Sequence, residues 1–359
     1  MDRVPTIILW QVVSNWLKRS QRFHSLMLTS LARLLQGEQL EEEQFLELLS
    51  CEGDEVEETA GAVAKEHFGC EIKLRGLIEI SNYCRSDCYY CGIRASNRAV
   101  DRYRLTEEEI LEVCSIGNTL GLGTFVLQGG EDLYWRGNRL VELVRELHRK
   151  YPNVVLTLSL GEMSQPEYQE LYDAGARRYL LRHETIDPLH FQQLHPPRQR
   201  IESRVAALNA LKEIGFETGV GGMVGSPGQE LCHLARDLAF IQRFQPAMIG
   251  IGPFLPHHDT PFRSYPSGSL DLAVRMVALC RLICPTANIP ATTAVASLSN
   301  EGRRRAIEAG ANVVMPNLSP PRFRQLYQLY DHKASFGSEA AEGIELLRSE
   351  LASYGFTAK

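Results

Sequence analysis

The chain has 359 residues, which is enough for two average domains or for one α/β barrel of more than ~250 residues. Lys and Arg total 38 against 44 Asp and Glu, so the net charge of −6 excludes an overall positive field for binding nucleic acid. The hydrophobic share of 44% and the charged share of 23% are typical of a globular protein and exclude long disorder.

The N-terminal apolar stretch, residues 4–13, is about half as long as a membrane-spanning helix must be. It is not followed by the small residues of a signal-peptidase site, so we interpret it as an N-terminal helix or extension. The nine Cys are an odd number in a chain without an export signal, which favours reduced thiols or metal ligands over disulfides. We therefore expect a cytoplasmic protein that binds neither membranes nor nucleic acid.

Eight short β-rich runs alternate with segments whose apolar residues recur three and four positions apart. The runs are residues 73–81, 124–130, 154–160, 177–183, 216–225, 248–255, 287–296 and 311–317. Eight βα units predict an α/β fold with a full (βα)8 TIM-type barrel, in which the chemistry lies at the carboxyl ends of the strands. We predict a helical N-terminal extension and cap at 1–71, the barrel at 72–320, and a helical segment that closes the barrel at 321–359.

The loop after the first predicted strand carries Cys84, Cys88 and Cys91 in the spacing C-x3-C-x2-C. A structural zinc site uses four ligands, whereas three thiolates leave one coordination position open for a substrate. Buried core cysteines are the weaker interpretation, because the loop also carries Arg, Ser and Asp residues. The motif, with the aromatic Tyr90 before its last Cys, resembles that of the radical S-adenosylmethionine enzymes.

This resemblance implies one 4Fe-4S cluster held by Cys84, Cys88 and Cys91, with S-adenosyl-L-methionine bound to its fourth iron. One-electron cleavage of the sulfonium then gives methionine and a 5′-deoxyadenosyl radical. Such a radical attacks whatever it meets, so a dry barrel interior must hold it against one atom of the substrate.

Polar side chains stand at the ends of the next two predicted strands. In the segment QGGE, Gln128 and Gly130 share one strand face, and glycine lets a ligand approach the backbone closely. Thr157 and Ser159 place two hydroxyls on one face of the third strand, where each needs a partner. Hydrogen bonding to neighbouring backbone explains either hydroxyl alone equally well.

The fourth predicted strand ends in RHE, with Arg182 and Glu184 on one face. We favour a functional role for both over a plain buried ion pair, because an unsolvated pair is costly without a ligand or network. Arg204 falls in the first turn of the next helix, where a guanidinium is placed to clamp a carboxylate. The alternative for Arg204 is an ordinary solvated arginine.

The last part of the chain adds Thr292 and Thr293 on the seventh predicted strand. It also adds Tyr327 and Tyr330, three positions apart and therefore on one face of a predicted helix. Core packing is the better interpretation of the two tyrosines taken alone.

The phrases QGGED, RYLLRHET, PATTA and RQLYQLYD, spread over residues 70–332, together resemble the HydE family. These are radical enzymes that help to build the dinuclear iron centre of FeFe-hydrogenase. The adenosylmethionine contacts that the resemblance implies are Tyr90, Gln128, Thr157, Ser159, Glu184, Arg204, Met248 and Tyr327. The substrate and anion pocket that it implies consists of Arg182, Thr292, Thr293 and Tyr330.

Some members of this family bind a second cluster through Cys residues after the QLYQLY segment, but no Cys follows Cys284 in this chain. We therefore predict no auxiliary C-terminal cluster. The resemblance implies a small anionic or organometallic substrate, an iron complex with carbonyl, cyanide and cysteine-derived ligands. It also implies the other hydrogenase maturases as partners and an electron donor such as ferredoxin or flavodoxin.

Two alternatives remain open. One is a radical mutase of an amino acid, similar to methylornithine synthase, and the other is a non-catalytic barrel whose three Cys bind zinc or scaffold assembly. Sulfur insertion of the biotin synthase kind is discounted, because Cys114 and Cys232 fall in helical segments rather than at inner strand ends. The residues before Met27 are not explained by the resemblance.

Overall fold

The computed structural model describes residues 22–334 and 339–359, with side chains from residue 27 onward, so the apolar stretch at 4–13 lies outside it. A six-stranded parallel sheet has the order β2-β3-β4-β5-β6-β7, and a three-stranded sheet has the order β8-β1-β9. The strands are β1 (Glu71–Leu74), β2 (Gly76–Ser81), β3 (Thr124–Gly129), β4 (Val155–Ser159), β5 (Ala176–Leu180), β6 (Glu217–Val224), β7 (Met248–Pro253), β8 (Val313–Val314) and β9 (Thr357–Ala358).

Helices alternate with these strands, which confirms the predicted α/β alternation. Local sequence explains two of the helix starts, since Thr106 and Ser164 form capping boxes with the glutamates three positions later. The α-helices are Arg22–Leu35, Glu42–Ser50, Glu55–Phe68, Glu107–Thr119, Asn138–Lys150, Gln165–Ala174, Pro188–Leu194, Ile201–Ile214, Leu231–Phe244, Leu270–Ile283, Thr293–Leu298, Gly302–Glu308, Pro321–Arg324 and Ile344–Ser353, with 3-10 turns at Leu133–Trp135 and Ala341–Gly343.

The central strands are buried on both faces, as parallel strands covered by helices must be. All residues of β2 and of β7 are buried, and Ile78, Phe125 and Leu158 are fully buried. This burial excludes water from the middle of the sheet, so the strand ends are the places where polar side chains gather.

The predicted full eight-stranded barrel is not formed; the structure has a partial barrel of six parallel strands. The predicted seventh strand, residues 287–296, contributes only isolated bridges at Asn288 and Pro290 and then becomes the helix Thr293–Leu298. Pro290 has no N–H to donate to a strand ladder, which explains why the strand does not continue.

The predicted eighth and first strands also differ from the structure. Residues 311–317 form the two-residue β8 and a single bridge from Asn317 to Leu77. The predicted strand 73–81 divides at Arg75 into β1 and β2, and β1 pairs with β8 and β9 in the smaller sheet. A six-stranded sheet therefore positions the candidate site.

The helices of residues 42–68 pack against the outer helices Leu231–Phe244 and Leu270–Ile283. Arg275 fastens them, since its guanidinium pairs with Glu57 at 2.5 Å and donates to the carbonyls of Leu48 in the first helix and of Gly53 in the connecting segment. The division into an N-terminal cap, a barrel and a C-terminal segment stays a prediction. None of the helices in the described ranges is long and apolar enough to span a membrane.

Candidate active site

The carboxyl ends of strands β2 to β5 lie along one edge of the sheet, and a polar loop follows each of them. The register pairs Glu79 of β2 with Gln128 of β3, and Gln128 with Ser159 of β4. These three polar side chains form a row close to the edge, because neighbours in register point to the same face of a sheet. The loops that follow the strands bring the remaining candidate residues to this row.

The cysteine loop after β2 is held by its own charged residues and by the loop after β3. The Arg94 guanidinium binds the Asp87 carboxylate through two hydrogen bonds of 2.8 and 2.7 Å. The Glu131 N–H donates to the Cys84 sulfur at 3.3 Å. A Cβ atom on Gly130 would lie 2.7 Å from the Cys84 Cβ and 2.2 Å from a backbone carbonyl oxygen, so only glycine fits there.

The three thiols lie within eight residues of one loop, and their surroundings shift the pKa of each. Burial raises the pKa of Cys84, raises that of Cys88 to about 12, and raises that of Cys91 well above its usual value. The charges of Cys88 and Cys84 raise the pKa of Cys91 further, whereas the Arg204 guanidinium opposes the effect at Cys88. A metal binds the thiolate form, so metal loading is coupled to loss of a proton from each thiol.

Tyr90, between Cys88 and Cys91, is anchored by His195. The His195 Nδ1 lies 2.9 Å from the Phe191 carbonyl oxygen, so Nδ1 carries the proton and Nε2 accepts from the Tyr90 hydroxyl at 3.2 Å. Burial lowers the pKa of His195 to about 3, so the ring stays neutral and the direction of this hydrogen bond is fixed. The structure therefore places Tyr90 within the cysteine loop, edge-on to the His195 ring.

Arg182 and Glu184 follow β5 at the same edge of the sheet. Their charged groups stand 3.0 Å apart, yet Arg182 Nε and Nη2 and Glu184 Oε2 are buried without an aligned hydrogen-bond partner. The hydroxyl of Thr157 in β4 is also buried and unpaired. Glu184 has a φ of +66°, a conformation that costs energy for any residue except glycine. Unsatisfied polar atoms and a strained backbone at one place are typical of a ligand site.

Arg204, in the first turn of its helix, pairs with Glu162 in the loop after β4. Its Nε donates to Glu162 Oε1 at 2.5 Å, and its Nη1 donates to the Arg182 carbonyl at 2.6 Å. Burial disfavours the charge, but the Glu162 carboxylate outweighs it and raises the pKa of Arg204. Burial raises the pKa of Glu131, but the hydrogen bond from the Glu162 N–H and the Arg204 charge outweigh burial, so the pKa is lowered overall. Arg204 therefore lies in a charged network beside the cysteine loop.

A buried ion pair between Glu79 and Lys333 lies beside the polar row. The Lys333 ammonium binds one Glu79 oxygen and donates to the Tyr327 carbonyl at 3.1 Å, while the Asn317 amide donates to the other Glu79 oxygen at 2.9 Å. The Tyr327 hydroxyl accepts from Gln128 Nε2 at 3.4 Å. The pair therefore attaches the C-terminal segment, with Tyr327, to the strand ends.

Tyr327 and Tyr330 do not lie on a helix, contrary to the prediction. The helix Pro321–Arg324 ends before them, and irregular backbone carries Tyr327 into the interior. Burial raises the pKa of Tyr330, and a hydrogen bond with Ser297 opposes this shift. Tertiary contacts, not helical periodicity, therefore place the two hydroxyls.

Thr292 and Thr293 do not lie on a strand, contrary to the prediction. Thr292 precedes the helix Thr293–Leu298, of which Thr293 is the first residue. The Thr292 hydroxyl donates to the Ile251 carbonyl at 3.2 Å, which places it against the carboxyl-terminal half of β7. Both residues therefore lie beside the carboxyl-terminal half of β7, Thr292 as the extended residue before the helix and Thr293 as the first helical residue.

The structure does not bring Met248 to the cysteine loop. Met248 is the first residue of β7, so at roughly 3.3 Å per residue it lies about 16 Å from the carboxyl end of that strand. Its sulfur accepts from the Arg75 guanidinium at 3.4 Å, at the amino end of the sheet. This position separates Met248 from the other residues of the predicted set.

A further polar group joins the C-terminal segment to the loop after β7. His257, His258 and Asp331 have ligand-type atoms within 4.8 Å of one another. His258 stands between Asp331, at 2.6 Å, and Asp259, at 3.3 Å, and the hydrogen bond with Asp331 raises the pKa of His258. His257 Nδ1 already accepts from the Asp259 N–H at 3.0 Å, which places the proton on Nε2. We interpret the group as an ion-pair anchor rather than a metal site.

Sequence reasoning missed Glu79, Glu162, His195 and Lys333. A charged residue inside the apolar run GLIEIS was the signal for Glu79. Glu162 follows Gly161 at a strand end, just as the glutamate of the QGGE segment follows its glycine. Lys333 had no local signal, because only the path of the C-terminal segment brings it to Glu79.

Comparison with known proteins agrees with this geometry. Residues 78–241 match the Radical SAM superfamily, a range that contains the cysteine loop and the ends of β2 to β6. The chain is therefore a radical SAM enzyme. It is 45% identical to the FeFe hydrogenase maturase subunit HydE of Thermotoga maritima over 274 residues, 76% of this chain and 78% of that protein. The chain belongs to the HydE family.

Other relatives are more distant but share the fold. The 3-methylornithine synthase of Methanosarcina acetivorans is 28% identical over 79% of this chain and 81% of its own. The solved structure of methylornithine synthase (PylB) has a TM-score of 0.79 at 26% identity and covers 92% of this chain and 97% of that one. HydG, a maturase of the FeFe-hydrogenase, also has a TM-score of 0.79, with 100% and 81% coverage at 18% identity, and shows the fold alone.

The radical SAM family implies a 4Fe-4S cluster and S-adenosylmethionine, and the residues present fit both groups. Three thiols on one loop match the ligands of such a cluster and leave one iron open. The missing Cβ of Gly130 keeps the loop after β3 against the cysteine loop. The buried Thr157 hydroxyl and Arg182 Nε lack partners, and the Arg182–Glu184 ion pair beside them lacks aligned hydrogen bonds, so this place offers polar contacts to a ligand.

Proposed function

We propose that this protein cleaves S-adenosylmethionine reductively in the cytoplasm and acts in the assembly of the dinuclear iron centre of FeFe-hydrogenase. Its substrate is then a small anionic or organometallic iron compound that it exchanges with other hydrogenase maturases. A one-electron donor such as ferredoxin or flavodoxin supplies the reducing electron. The 45% identity to HydE of Thermotoga maritima supports this assignment.

The buried unpaired polar atoms at the ends of β4 and β5 carry the proposal. A polar group buried without a partner costs about 1 to 3 kcal/mol, so these atoms are best explained by a ligand that pairs with them. Arg182 Nη2 pairs in charge with Glu184 Oε2 at 3.0 Å, whereas Arg182 Nε has no partner and presents a donor that suits an anionic substrate. The Thr157 hydroxyl and the Glu184 oxygen suit the hydroxyl and amino groups of adenosylmethionine.

When bound, the cluster and adenosylmethionine supply radical chemistry through one-electron cleavage of the sulfonium. The residues of this chain hold and orient the reactants and exclude water. We assign the cluster to Cys84, Cys88 and Cys91 and the substrate to Arg182, Thr292, Thr293 and Tyr330. We assign adenosylmethionine to Tyr90, Gln128, Thr157, Ser159, Glu184, Arg204 and Tyr327, and we omit Met248 because of its place at the far end of β7.

The division between substrate and cofactor residues is tested by two arginine variants. Adenosylmethionine cleavage without substrate should survive in Arg182→Met, because Arg182 faces the substrate. It should be lost in Arg204→Met, because Glu162 would then lie unpaired in the charged network beside the cysteine loop. Anaerobic assay of 5′-deoxyadenosine measures both, and hydrogenase maturation should fail in both.

The iron content of each variant is the control, since both variants should keep the cluster. If Arg182→Met loses the uncoupled cleavage as fully as Arg204→Met with its cluster intact, Arg182 belongs to the cofactor site. A third outcome is that Arg182→Met lowers the free energy of unfolding by about 3 to 5 kcal/mol and lowers cleavage as well. Arg182 and Glu184 would then be a structural ion pair.

We also propose a single cluster, because no Cys follows Cys284. Anaerobic reconstitution should give about four irons per chain and an electron paramagnetic resonance spectrum that changes when adenosylmethionine is added. A count near eight irons would contradict the single cluster. Stoichiometric zinc without a reducible cluster would favour the non-catalytic scaffold.

A second candidate function is an amino-acid mutase, favoured by the fold likeness to methylornithine synthase at a TM-score of 0.79. Both functions use the same cofactor and differ in substrate. Gene deletion separates them: we expect loss of FeFe-hydrogenase activity with synthesis of lysine-derived amino acids intact. The opposite pattern would establish the mutase.

A further inference from the structure

The surface above the cysteine loop exposes large apolar side chains between arginines. Tyr83, Leu133 and Tyr134 are 36%, 66% and 39% exposed and are three of the eight large apolar side chains that the described residues expose. Arg104 lies between two rings, 3.7 Å from the Tyr83 centroid and 5.0 Å from that of Tyr134, and Arg139 lies 3.8 Å from the latter. We name these five residues the Tyr-Arg surface.

The Tyr-Arg surface lies directly over the first cluster ligand. Tyr83 precedes Cys84 in the chain, and Leu133 and Tyr134 follow Glu131 by two and three residues. The Glu131 N–H donates to the Cys84 sulfur at 3.3 Å, so the turn that carries the exposed leucine is in contact with the cysteine. A molecule bound to this surface is therefore close to the cluster.

A cavity of about 330 Å³ with exposed arginines adjoins the same loop. Arg85, Arg198 and Arg200 line it, and Arg198 donates to the Arg85 carbonyl at 2.8 Å. Gln199 of this cavity approaches the Cys88 sulfur at 4.0 Å. Two carboxylates also line the cavity, but each is paired with an arginine. Because Arg85 is the partner of Glu131, the local positive charge comes from Arg198 and Arg200, and it contrasts with the net charge of −6 of the chain.

We infer that the Tyr-Arg surface and the adjoining arginine cavity dock an acidic electron-carrier protein that reduces the cluster. In this step the carrier is oxidised by one electron and the cluster is reduced by one. Exposed Tyr and Leu residues rimmed by Arg have the composition of a protein interface. Arg104 pairs with Asp132 at 2.6 Å and Arg139 with Glu107 at 4.0 Å, so the positive charge that favours an acidic partner comes from Arg198 and Arg200 of the adjoining cavity. This charge speeds the approach of an acidic partner at low salt. The inference rests on the proposed function, which makes the cluster an electron acceptor.

Stopped-flow reduction of the cluster-loaded protein tests this inference, with reduced flavodoxin as the acidic probe. We expect the rate to fall steeply as salt rises, because a longer Debye length at low salt carries the attraction further. Leu133→Glu and Arg200→Glu should each slow reduction by about tenfold at low salt. Reduction by dithionite, which needs no docking, should keep its rate in both variants.

The control variants carry the same changes at the other end of the molecule. Leu346→Glu alters an exposed leucine of the C-terminal helix, which packs on β9 of the smaller sheet, and Arg149→Glu alters the exposed end of the helix after β3. Both should reduce at the rate of the unaltered protein. Equal slowing in the controls, or slowing with dithionite as well, would overturn the docking surface.

Two further outcomes are separable. In the first outcome, flavodoxin reduces Leu133→Glu and Arg200→Glu at the unaltered rate, but hydrogenase maturation is lost. This result would refute docking of an electron carrier and assign the surface to a partner maturase. The second outcome would refute the proposed function itself. In that case dithionite reduces the cluster of the unaltered protein, but no adenosylmethionine is cleaved.

Discussion

The two sides of the barrel mouth are built differently. On the side of the cysteine loop, strands β2 to β5 pair through parallel ladders with one register shift in each of the β2–β3 and β4–β5 pairs, and the ladders fix Glu79, Gln128 and Ser159 in a row. On the opposite side, residues 288–334 contact the sheet through isolated bridges, a short helix and irregular backbone. Continuous ladders therefore hold the first side, whereas isolated backbone hydrogen bonds and side-chain contacts hold the second.

This difference suits two kinds of ligand. The residues proposed for the cluster and adenosylmethionine lie on the regular side, except Tyr327, and a sheet reproduces such positions with little variation. Three of the four residues proposed for the substrate, Thr292, Thr293 and Tyr330, lie on the irregular side, and the fourth, Arg182, follows β5 on the regular side. Irregular segments can change without rebuilding the sheet, so one scaffold can serve relatives with different substrates.

The largest effect on the regular side is expected from Cys88→Ala. Two thiolates do not hold a 4Fe-4S cluster, so we expect complete loss of the cluster signal in electron paramagnetic resonance and of adenosylmethionine cleavage. Cys232→Ala, which changes a cysteine on an outer helix, is the control and should keep both. An unchanged spectrum in Cys88→Ala would remove the ligand assignment.

On the irregular side, Lys333→Met should destabilise the protein most. The variant leaves the fully buried Glu79 charge unpaired, which costs about 3 to 5 kcal/mol in unfolding free energy. The double variant Glu79→Gln with Lys333→Met should recover most of this loss, because no buried charge remains. Anaerobic denaturant unfolding of the cluster-loaded protein measures both.

The matched control is Lys359→Met, which breaks an exposed pair with Glu71 and should cost about 1 kcal/mol or less. A double variant as unstable as Lys333→Met would show that packing of the lysine, rather than its charge, holds the C-terminal segment.

A smaller effect on the regular side is expected from Gly130→Ala. The added methyl group would overlap a backbone carbonyl, so the two loops must separate, at a cost of about 1 to 3 kcal/mol. Iron content after reconstitution should fall with stability. Gly123→Ala is the control, since its Cβ meets nothing within 4 Å. Full cluster occupancy in Gly130→Ala would show that the loop yields more easily than its contacts indicate.

The same contrast explains how far the sequence could be interpreted. Strand periodicity predicted β3 to β7, and the polar residues at strand ends predicted which side chains gather near the cysteine loop; their roles toward the cofactors stay predictions. The prediction was wrong for the seventh strand, where Pro290 breaks the ladder, and for the tyrosine helix. Lys333 and Glu79 are 254 residues apart, and no local pattern reports such a contact.

The smallest effect concerns the pH dependence of the C-terminal segment. The pKa of His258 is raised in the folded protein by its hydrogen bond with Asp331. The stabilisation is therefore fully present below the unfolded pKa of about 6.5 and is lost as pH rises through the folded value. His258 is exposed, so solvent screening limits the effect to about 1 kcal/mol or less.

Hydrogen exchange of the Asp331 amide, which donates to the Pro256 carbonyl at 3.0 Å, is the measurement for this last effect. The protection of the amide in the unaltered protein relative to His258→Ala should be greatest at low pH, at most about fivefold. The difference in protection between the two proteins should vanish once His258 is neutral, because the charge that attracts Asp331 is then gone. A ratio that stays constant from pH 5 to 8 would show that packing alone holds this segment, and that the irregular side is as independent of charge as the strand ladders opposite.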